Sequence, residues 1–514
     1  ELEFNEESWL ADTLGDEAHR RKATDAHKRL ARLLSDPGDY RVLRDAPPQG
    51  DPLLARQVDV LARSYARYQM TENEVDEQAE LENKINNLFV TFRADLDGKP
   101  ASENDINQVL ADELDTARRR RAWEASKQIG RRVAPLLVEL VEARNRAARR
   151  MGYRDFYAMS LAVDELDEAE LFSIVASLAA ATDAIYDSEK TRLDGALAAK
   201  FRVQPEAIGP WHYSDPFFQR VPDDGSVDLD PIFRGRDLPA LARRFYSSMG
   251  MDVDDILTRS DLYERAGKYQ HAYCMHMDRQ GDIRTICNLR DNAEWMSTLL
   301  HELGHGVYFK YIDDSLPFLL REHAHSLTTE AVATVMGDQV FDAGWLARIA
   351  GMDAEAASRI AGAAARRAAL DTLIMVRWCS VMVEFERALY ADPRRDLNGL
   401  WWQLVHRYQL VEAPAGRNEP DWAAKIHLAL YPVYYQNYLL GGLLCSQLKQ
   451  AVEDYTGTRS LALAPEAGQW LVETVIEQGA TWHWSELVRR ATGKPLGEQA
   501  LVAELELLRK GATP

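Results

Sequence analysis

The stretch STLLHELGHGVYFK, residues 297–310, places two histidines four positions apart in an apolar, helix-forming run. Residues i and i+4 of a helix lie one above the other on the same face. His301 and His305 are therefore expected to bind one ion together, with Glu302 about 100° around the helix and within reach of a water on that ion. This HExxH pattern is typical of zinc peptidases, and the plainer interpretation is two histidines on a packed or solvated helix.

A catalytic zinc ion needs a third protein ligand and one open coordination position. The segment REHAHSLTTEAVATVMGD, residues 321–338, supplies Glu330 on a second helical pattern. The residues between the two segments include a proline and a DD pair, which allow the chain to turn back. His323 and His325 are rival ligands just before this helix, and a solvated helix glutamate is the alternative for Glu330.

Donors for a developing oxyanion are also expected beside such a centre. The segment KIHLALYPVYYQNY, residues 425–438, combines a lysine, a histidine and several tyrosines. An aromatic helix packed into the core would have a similar composition, so both interpretations stay open. The candidate donors are Lys425, His427, Tyr431, Tyr434, Tyr435 and Tyr438.

The composition limits the class of partner. The chain has 514 residues, 46% of them hydrophobic, which is enough to bury a large core. Its formal net charge is -20, from 61 basic and 81 acidic residues. This balance disfavours nucleic acids and anionic membranes as partners, and it leaves the oligomeric state open.

The sequence favours a cytoplasmic location. No uninterrupted apolar run approaches the roughly 20 residues of a membrane span, and the start, ELEFNEESWL, does not resemble a signal peptide. The four cysteines form no CxxC pair, which predicts reduced thiols. Because the first residue is not Met, an exported form with a trimmed N-terminus stays open.

Helical periodicity dominates the chain. Residues 82–96 and 134–152 have apolar residues at i, i+3, i+4 and i+7, and residues 347–390 are rich in alanine. The clearest alternating pattern is HAYCMHMDRQGDIRTICNL, residues 271–289, where GD could turn a hairpin. No loop looks like an interdomain linker. We therefore expect an all-α fold, a single domain over residues 1–514, with a small β-ribbon beside the HELGH helix.

The segments described so far resemble the angiotensin-converting-enzyme family of zinc dipeptidyl carboxypeptidases, with a looser similarity to thimet-type oligopeptidases. The resemblance covers roughly residues 265–445 and rests on six features that occur in family order. These are His271-Ala272 with Asp282-Ile283-Arg284, HELGH (301–305), LREHAHSLTTEA (320–331), WWQLVHRYQ (401–409), Lys425-x-His427, and a tyrosine motif matched best by Tyr431, Tyr434 and Tyr435.

The resemblance implies a role for each matched metal and catalytic residue. His301, His305 and Glu330 would bind one Zn²⁺ per chain. Glu302 would be the general base that activates the attacking water and then carries a proton to the leaving amine. The remaining catalytic pair, the donors to the tetrahedral oxyanion, would be His427 and Tyr434.

The substrate-binding roles follow from the same resemblance. Lys425 and Tyr431 would hold the C-terminal carboxylate of the substrate, because an ammonium and a phenol are natural anion donors. His271 and the Ala272 backbone would bind the substrate in an extended pose. The tyrosines follow His427 at a shorter spacing than in the family, so Tyr435 and Tyr438 are alternatives to Tyr434 as oxyanion donor.

Several positions depart from the family pattern. Family arginines that bind activating chloride are matched by Val405 and Val433, so chloride activation is not expected. A family aspartate near the third ligand is Thr334 here, and Gln270 stands where a disulfide partner of Cys287 would be. A family glutamine that helps to hold the carboxylate has no clear match in the aligned segment PWHYSDPF, residues 210–217.

The resemblance implies two helical halves, roughly residues 1–240 with a channel lid and 241–514 with the catalytic centre, around a deep central substrate channel. Such a channel excludes folded proteins, so short peptides are the expected substrates. The expected activity is zinc-dependent release of C-terminal dipeptides. The alternatives are an endo-acting oligopeptidase or single-residue carboxypeptidase with the same chemistry, a catalytically silent peptide-binding protein, and a structural helical scaffold.

Overall fold

The structure is a computed structural model that describes residues 1–222 and 228–509. Helices account for nearly all of its regular secondary structure, which confirms the all-α class. The helices that precede residue 240 or begin just before it are α1 (Leu2–Leu14), α2 (Glu17–Leu34), α3 (Pro37–Arg44), α4 (Pro52–Ala66), α5 (Glu72–Thr91), α6 (Glu103–Asp112), α7 (Thr116–Lys127), α8 (Gly130–Arg150), α9 (Phe156–Val163), α10 (Glu168–Phe201), α11 (Asp230–Phe233) and α12 (Leu238–Ser248).

The remaining helices contain the segments with candidate site residues. They are α13 (Asp254–Arg259), α14 (Ala293–Lys310), α15 (Ser326–Gly337), α16 (Ala343–Arg348), α17 (Ala354–Ala391), α18 (Leu397–Gln409), α19 (His427–Leu430), α20 (Tyr435–Thr456), α21 (Pro465–Leu471), α22 (Trp484–Thr492) and α23 (Gln499–Arg509).

Two short antiparallel strand pairs accompany the helices in the described ranges. The predicted ribbon is present as β3 (Tyr273–His276) and β4 (Ile283–Ile286), and it packs against α14. The other pair, β1 (Ala94–Leu96) and β2 (Lys99–Ala101), was not predicted. Its first strand falls at the end of a segment with helical periodicity, and a turn at Asp97 and Gly98, both with positive φ, forms the hairpin.

A buried lysine stabilises the chain beside the ribbon, at the place where the family pattern has a disulfide. The Lys268 ammonium donates to the backbone carbonyls of Asp261, Tyr263 and Cys287 and also forms an ion pair with the Asp261 carboxylate. The four cysteines of the chain are free thiols here. Hydrogen bonds from one ammonium therefore join these loop segments without a covalent bond.

One hydrophobic cluster runs through most of the described chain, from Leu81 in α5 to Leu508 in α23. The long helix α17 packs against α10, α18, α20 and α23, so its face is buried along much of its length. Burial of this apolar surface is the main stabilising contribution to such a fold. The cluster includes residues from both of the predicted halves, whose boundary near residue 240 stays a prediction.

Helix α10 is long and apolar enough, by length and composition alone, to cross a membrane. This property of α10 was not predicted, because the sequence contains no uninterrupted apolar run of that length. The helix also contains the buried charged residues Glu189 and Lys190, and it packs against α17 and α23. A core helix of a soluble protein passes the same test, so this property is weak evidence for a membrane span.

Candidate metal centre

Helices α14 and α15 lie side by side and bring the candidate ligands together. The Asn292 side chain caps the start of α14 by accepting the Trp295 N–H. Gly304 faces α15 so closely that a Cβ there would lie 2.6 Å from the Ala333 Cα. A larger residue at position 304 would therefore separate the two helices and their ligands.

The side chains of His301, His305 and Glu330 converge between these helices. Their ligand atoms all lie within 4.8 Å of one another. The Nε2 atoms of His301 and His305 are 3.6 and 3.5 Å from the two carboxylate oxygens of Glu330. Two imidazoles and one carboxylate are a donor set suited to zinc, so the three predicted ligands form a chemically reasonable metal centre.

A hydroxyl group orients one of the imidazoles. The Thr329 Oγ1 lies 2.8 Å from the His305 Nδ1. When Nδ1–H donates to this hydroxyl, the Nε2 lone pair is left free to face Glu330 and a metal ion. Such outer hydrogen bonds fix the tautomer of metal-binding histidines. Thr329 is a supporting residue that sequence reasoning did not identify.

Helix α20 also packs against α15, next to the third ligand. Gly441 faces the Glu330 side chain, and a Cβ at this position would lie 3.4 Å from the Glu330 Cγ. The Glu330 carboxylate therefore lies between α14 and α20, beside the histidines of one helix and the tyrosine segment that leads into the other.

The rival ligand His325 has a different role. Its Nδ1 accepts the Leu327 N–H at 3.0 Å, which caps α15, and its Nε2 donates to the Asp164 carbonyl at 2.8 Å. Both ring nitrogens are thus used, and burial lowers the pKa of His325 to about 4. The other rival, His323, lines the cavity, and its Nδ1 lies 2.8 Å from a Glu322 carboxylate oxygen.

Glu302, the predicted base, lies next to the ligands in a protected environment. Only 7% of the residue is exposed, and burial, with a smaller effect of the Glu330 charge, raises the pKa of Glu302 to about 8. Burial also lowers the pKa of His301, which favours the neutral imidazole that binds metals. A cation held at the centre would lower the Glu302 pKa, because a nearby positive charge favours the carboxylate.

A cavity of about 440 Å³ opens in front of these groups. Strand β3 forms one wall and the start of α20 forms another. The predicted residues that line the cavity are Ala272, His301, Glu302, His305, Glu330, Tyr434 and Tyr438, together with His323 from the rival pair. His271 is exposed and lies outside this lining, with its ring 5.3 Å from that of Tyr269.

The four tyrosines of the segment 425–438 lie in three environments: the metal cavity, the core and the surface. Tyr434 and Tyr438 line the metal cavity with ring centroids 5.1 Å apart. Tyr435 is buried, and its ring packs on those of His427 and Trp378. The side chain of Tyr431 is 58% exposed. Of the tyrosines predicted as oxyanion donors, Tyr434 and Tyr438 lie in the cavity, and the choice of donor stays a prediction.

His427 lies outside the cavity lining. Its ring packs between Tyr431 and Tyr435, at 5.5 and 5.1 Å between centroids, and its buried Nδ1 has no hydrogen-bond partner among the described residues. Burial lowers the pKa of His427 to about 4, so the ring is neutral at physiological pH. Its predicted contribution to the oxyanion stays a prediction.

Lys425 lies in an aromatic pocket with a glutamine that sequence reasoning missed. Its Nζ donates to the Gln219 Oε1 at 2.7 Å and lies 5.4 and 5.5 Å from the ring centres of Phe217 and Trp378. Burial lowers the pKa of Lys425 to about 8. The tyrosine near this lysine is Tyr435 rather than the predicted Tyr431. The Lys425 Nζ lies 6.0 Å from the centre of the Tyr435 ring.

Gln219 lies two residues after the segment PWHYSDPF, which resemblance had aligned with the region of the carboxylate-binding glutamine. Its backbone N–H donates to the Asp215 carboxylate in an irregular turn that includes Phe218 with a φ of 53°. No helical or alternating pattern marks such a turn. The only available signal was its position, two residues beyond the aligned segment.

Comparison with known proteins gives a consistent assignment. The family model for angiotensin-converting enzyme, peptidase family M2, matches residues 211–505, more than half of the chain. Angiotensin-converting enzyme of Bos taurus is 23% identical over 433 residues, which is 76% of this chain and 32% of that protein. Angiotensin-converting enzyme-like protein Ace3 of Mus musculus is 21% identical over 431 residues, 76% of this chain and 57% of that protein.

Angiotensin-converting enzyme of the fly Haematobia irritans exigua is 25% identical over 255 residues, 44% of this chain and 41% of that protein. The chain thus spans about a third of the bovine relative and about half of the mouse Ace3 protein. The resemblance inferred from the HELGH and LREHAHSLTTEA segments is confirmed. The chain belongs to the angiotensin-converting enzyme family of metallopeptidases.

Proposed function

We propose that this protein is a zinc peptidase that hydrolyses short peptides and releases C-terminal dipeptides. The observation that carries the proposal is the convergence of His301, His305 and Glu330 beside the buried carboxyl of Glu302, at the wall of an open cavity. Two imidazoles, a carboxylate and a base in one cleft are the parts that metal-assisted peptide hydrolysis requires.

The donor set fits Zn²⁺, one ion per chain, held by the two imidazole Nε2 atoms and the Glu330 carboxylate. When bound, zinc would polarise the scissile carbonyl and make water a stronger nucleophile. The partial exposure of the three side chains, between 16 and 38%, leaves them accessible from the cavity.

Glu302 would remove the proton from the attacking water and deliver it to the leaving amine. Burial raises its pKa to about 8, and a bound cation would lower this value towards the operating pH, where a general base works best. Tyr434 and Tyr438 are phenol donors in the same cavity, and partial burial raises both pKa values further above neutral pH. One of them would donate to the oxyanion that develops on the scissile carbonyl.

Lys425 and Gln219 support the dipeptidyl specificity. A half-buried ammonium beside a carboxamide, in a pocket of aromatic rings, is a suitable place for the substrate's terminal carboxylate. An enzyme that holds this carboxylate at a fixed distance from its metal would cut at a fixed number of residues from the end.

The runner-up activity is endo-cleavage or release of single residues with the same chemistry. One observation favours it: neither Lys425 nor Gln219 lines the metal cavity itself. A catalytically silent peptide-binding protein is a weaker proposal, because the full set of ligands and Glu302 are present. Short peptides, rather than nucleic acids, are the partners we propose for a chain with a net charge of -20.

The test is a digest of a nonapeptide in two forms, with a free and with an amidated C-terminus, analysed by mass spectrometry with and without a chelator. Stepwise loss of dipeptides from the free form alone, abolished by the chelator and by Glu302→Gln, supports the proposal. Equal cleavage of both forms, or loss of single residues, moves the specificity to the runner-up. Full activity of Glu302→Gln with zinc bound would refute the assigned mechanism.

A further inference from the structure

Asn437 is a buried polar residue in the wall of the metal cavity, and the proposed mechanism gives it no role. It lies in the first turn of α20, only 6% of it is exposed, and it lines the cavity with Tyr434 and Tyr438. Its side-chain Oδ1 is buried and has no hydrogen-bond partner among the described residues. A carboxamide in this state has unused hydrogen-bonding capacity next to the candidate catalytic groups.

An unsatisfied polar atom of this kind is costly, because it loses its hydrogen bonds to water and gains none in return. The next residue back, Gln436, shows the usual solution: it is buried as well, and its Nε2 donates to the Val433 carbonyl. The Asn437 Oδ1 has no such partner among the described residues, so a molecule in the cavity is the candidate for the missing partner.

The position of Asn437 relative to its helix supports this idea. Residues three and four apart share a helix face, which groups Asn437 with Tyr434 before it and Gly441 after it. Gly441 faces the Glu330 side chain. Asn437 is therefore on the face of α20 that looks towards Glu330, and it lines the same cavity as the candidate oxyanion donors.

Another part of the cavity wall is formed by Ala272 and by Tyr273 and Cys274 of β3. Within the described ranges, β3 pairs with β4 along one edge, from Tyr273↔Ile286 to His276↔Ile283. No other strand pairs with β3 in the described ranges, so its second edge is a place where an extended peptide could add. A peptide bound there would present the N–H and C=O groups of alternate residues away from β3.

We propose that Asn437 binds the main chain of the substrate on the edge opposite to β3, with Oδ1 accepting a peptide N–H and Nδ2 donating to a peptide C=O. A carboxamide carries one acceptor and a donor side by side, which matches the pair of groups that an extended residue presents. This proposal rests on the proposed peptidase function and adds a substrate-binding residue to it.

The test measures peptide binding rather than turnover. In the zinc-loaded Glu302→Gln protein, calorimetry gives the Kd of a free nonapeptide and of a series of analogues in which one amide at a time is replaced by an ester. Asn437→Leu is expected to raise the Kd of the all-amide peptide about tenfold. In protein with Asn437, one ester position should weaken binding by a similar factor, and Asn437→Leu should abolish that difference.

Asn437→Ala provides a second variant that cannot overfill the cavity. Asn107→Leu is the matched control, because Asn107 in α6 also has a buried, unpartnered Oδ1 but lies outside the metal cavity. Zinc content and thermal unfolding of each variant verify the fold. The control is expected to bind every peptide as the parent protein does.

Unchanged Kd values in both Asn437 variants, or ester effects that persist in them at every position, would overturn the proposal while the peptidase function stands. Absence of any peptide binding and cleavage by the protein with its native Asn437 would overturn both. A tenfold loss in the variants together with one ester position that no longer matters would establish the contact.

Discussion

The carboxyl of Glu386 accepts the backbone N–H of Val433 at 2.7 Å, at a residue held with a φ of 53°. A β-branched residue rarely adopts this left-handed conformation, so the surroundings must enforce it. Val433 lies directly before Tyr434. From helix α8, Arg144 donates to the Ala429 carbonyl in the same segment. Two buried polar residues of the helical core thus hold the backbone of the segment that leads into Tyr434.

Replacement of Glu386 by glutamine is expected to change the pH dependence of stability. Burial raises the pKa of Glu386 to about 8. Between the unfolded pKa, about 4.3, and this value the folded state binds more protons than the unfolded state, so stability falls as pH rises. Glu386→Gln removes this fall, which amounts to at most about 1.4 kcal/mol per pH unit.

Urea unfolding of both proteins at pH 5, 6.5 and 8 measures the effect. Glu384→Gln, the same change two residues away on α17, is the control. Parallel stability curves for the parent protein and Glu386→Gln would contradict the prediction.

Of the two tyrosines in the cavity, Tyr438 is expected to contribute more to catalysis. Tyr438 lies within α20, whereas Tyr434 is the less regular residue that precedes the helix. A rigidly held donor stabilises developing charge best. We expect Tyr438→Phe to lower kcat about 100-fold or more, a loss of the size seen for a single oxyanion donor. Tyr434→Phe should have a smaller effect, and the reverse order in steady-state kinetics would assign the oxyanion to Tyr434.

The lowered pKa of Lys425 predicts that cleavage of peptides with a free C-terminus becomes less efficient at high pH. Because burial lowers its pKa to about 8, the side chain is charged below this pH and neutral above it. The kcat/KM for a free peptide should therefore fall as pH rises through about 8, while that for the amidated peptide should lack this step. Lys425→Met should raise KM for the free peptide about 10- to 100-fold, as expected for loss of a charged hydrogen bond. Lys425→Arg should shift the step to higher pH, and a step common to both peptides would exclude Lys425 as its cause.

Thr329 is expected to support metal affinity. Its hydroxyl lies 2.8 Å from the His305 Nδ1, and loss of such outer hydrogen bonds typically weakens metal binding about 10- to 100-fold. Thr329→Val should raise the zinc Kd by this factor in a competition assay with a chromogenic chelator. Thr334→Val, on the same helix α15, is the control. Equal zinc affinities for the two variants would show that the hydroxyl plays no such role.

The metal-binding motif and the helical class could be predicted because both depend on local spacing. A helix has 3.6 residues per turn, so His301 and His305 must share a face wherever the helix lies. The β3–β4 ribbon was likewise visible as alternation around a turn. The short β1–β2 pair was not, because its first strand falls at the end of a segment with helical periodicity.

The rest of the site depends on contacts between residues far apart in the chain. Gln219 reaches Lys425 across 206 positions, and which tyrosines face Glu330 depends on the packing of Gly441 against that side chain. The sequence by itself determined the pair of histidines, their neighbouring base and the helices that hold them, through short-range periodicity. Only the tertiary structure decided that His325 caps a helix and that Asn437 faces the cavity, because helix packing controls which side chains meet.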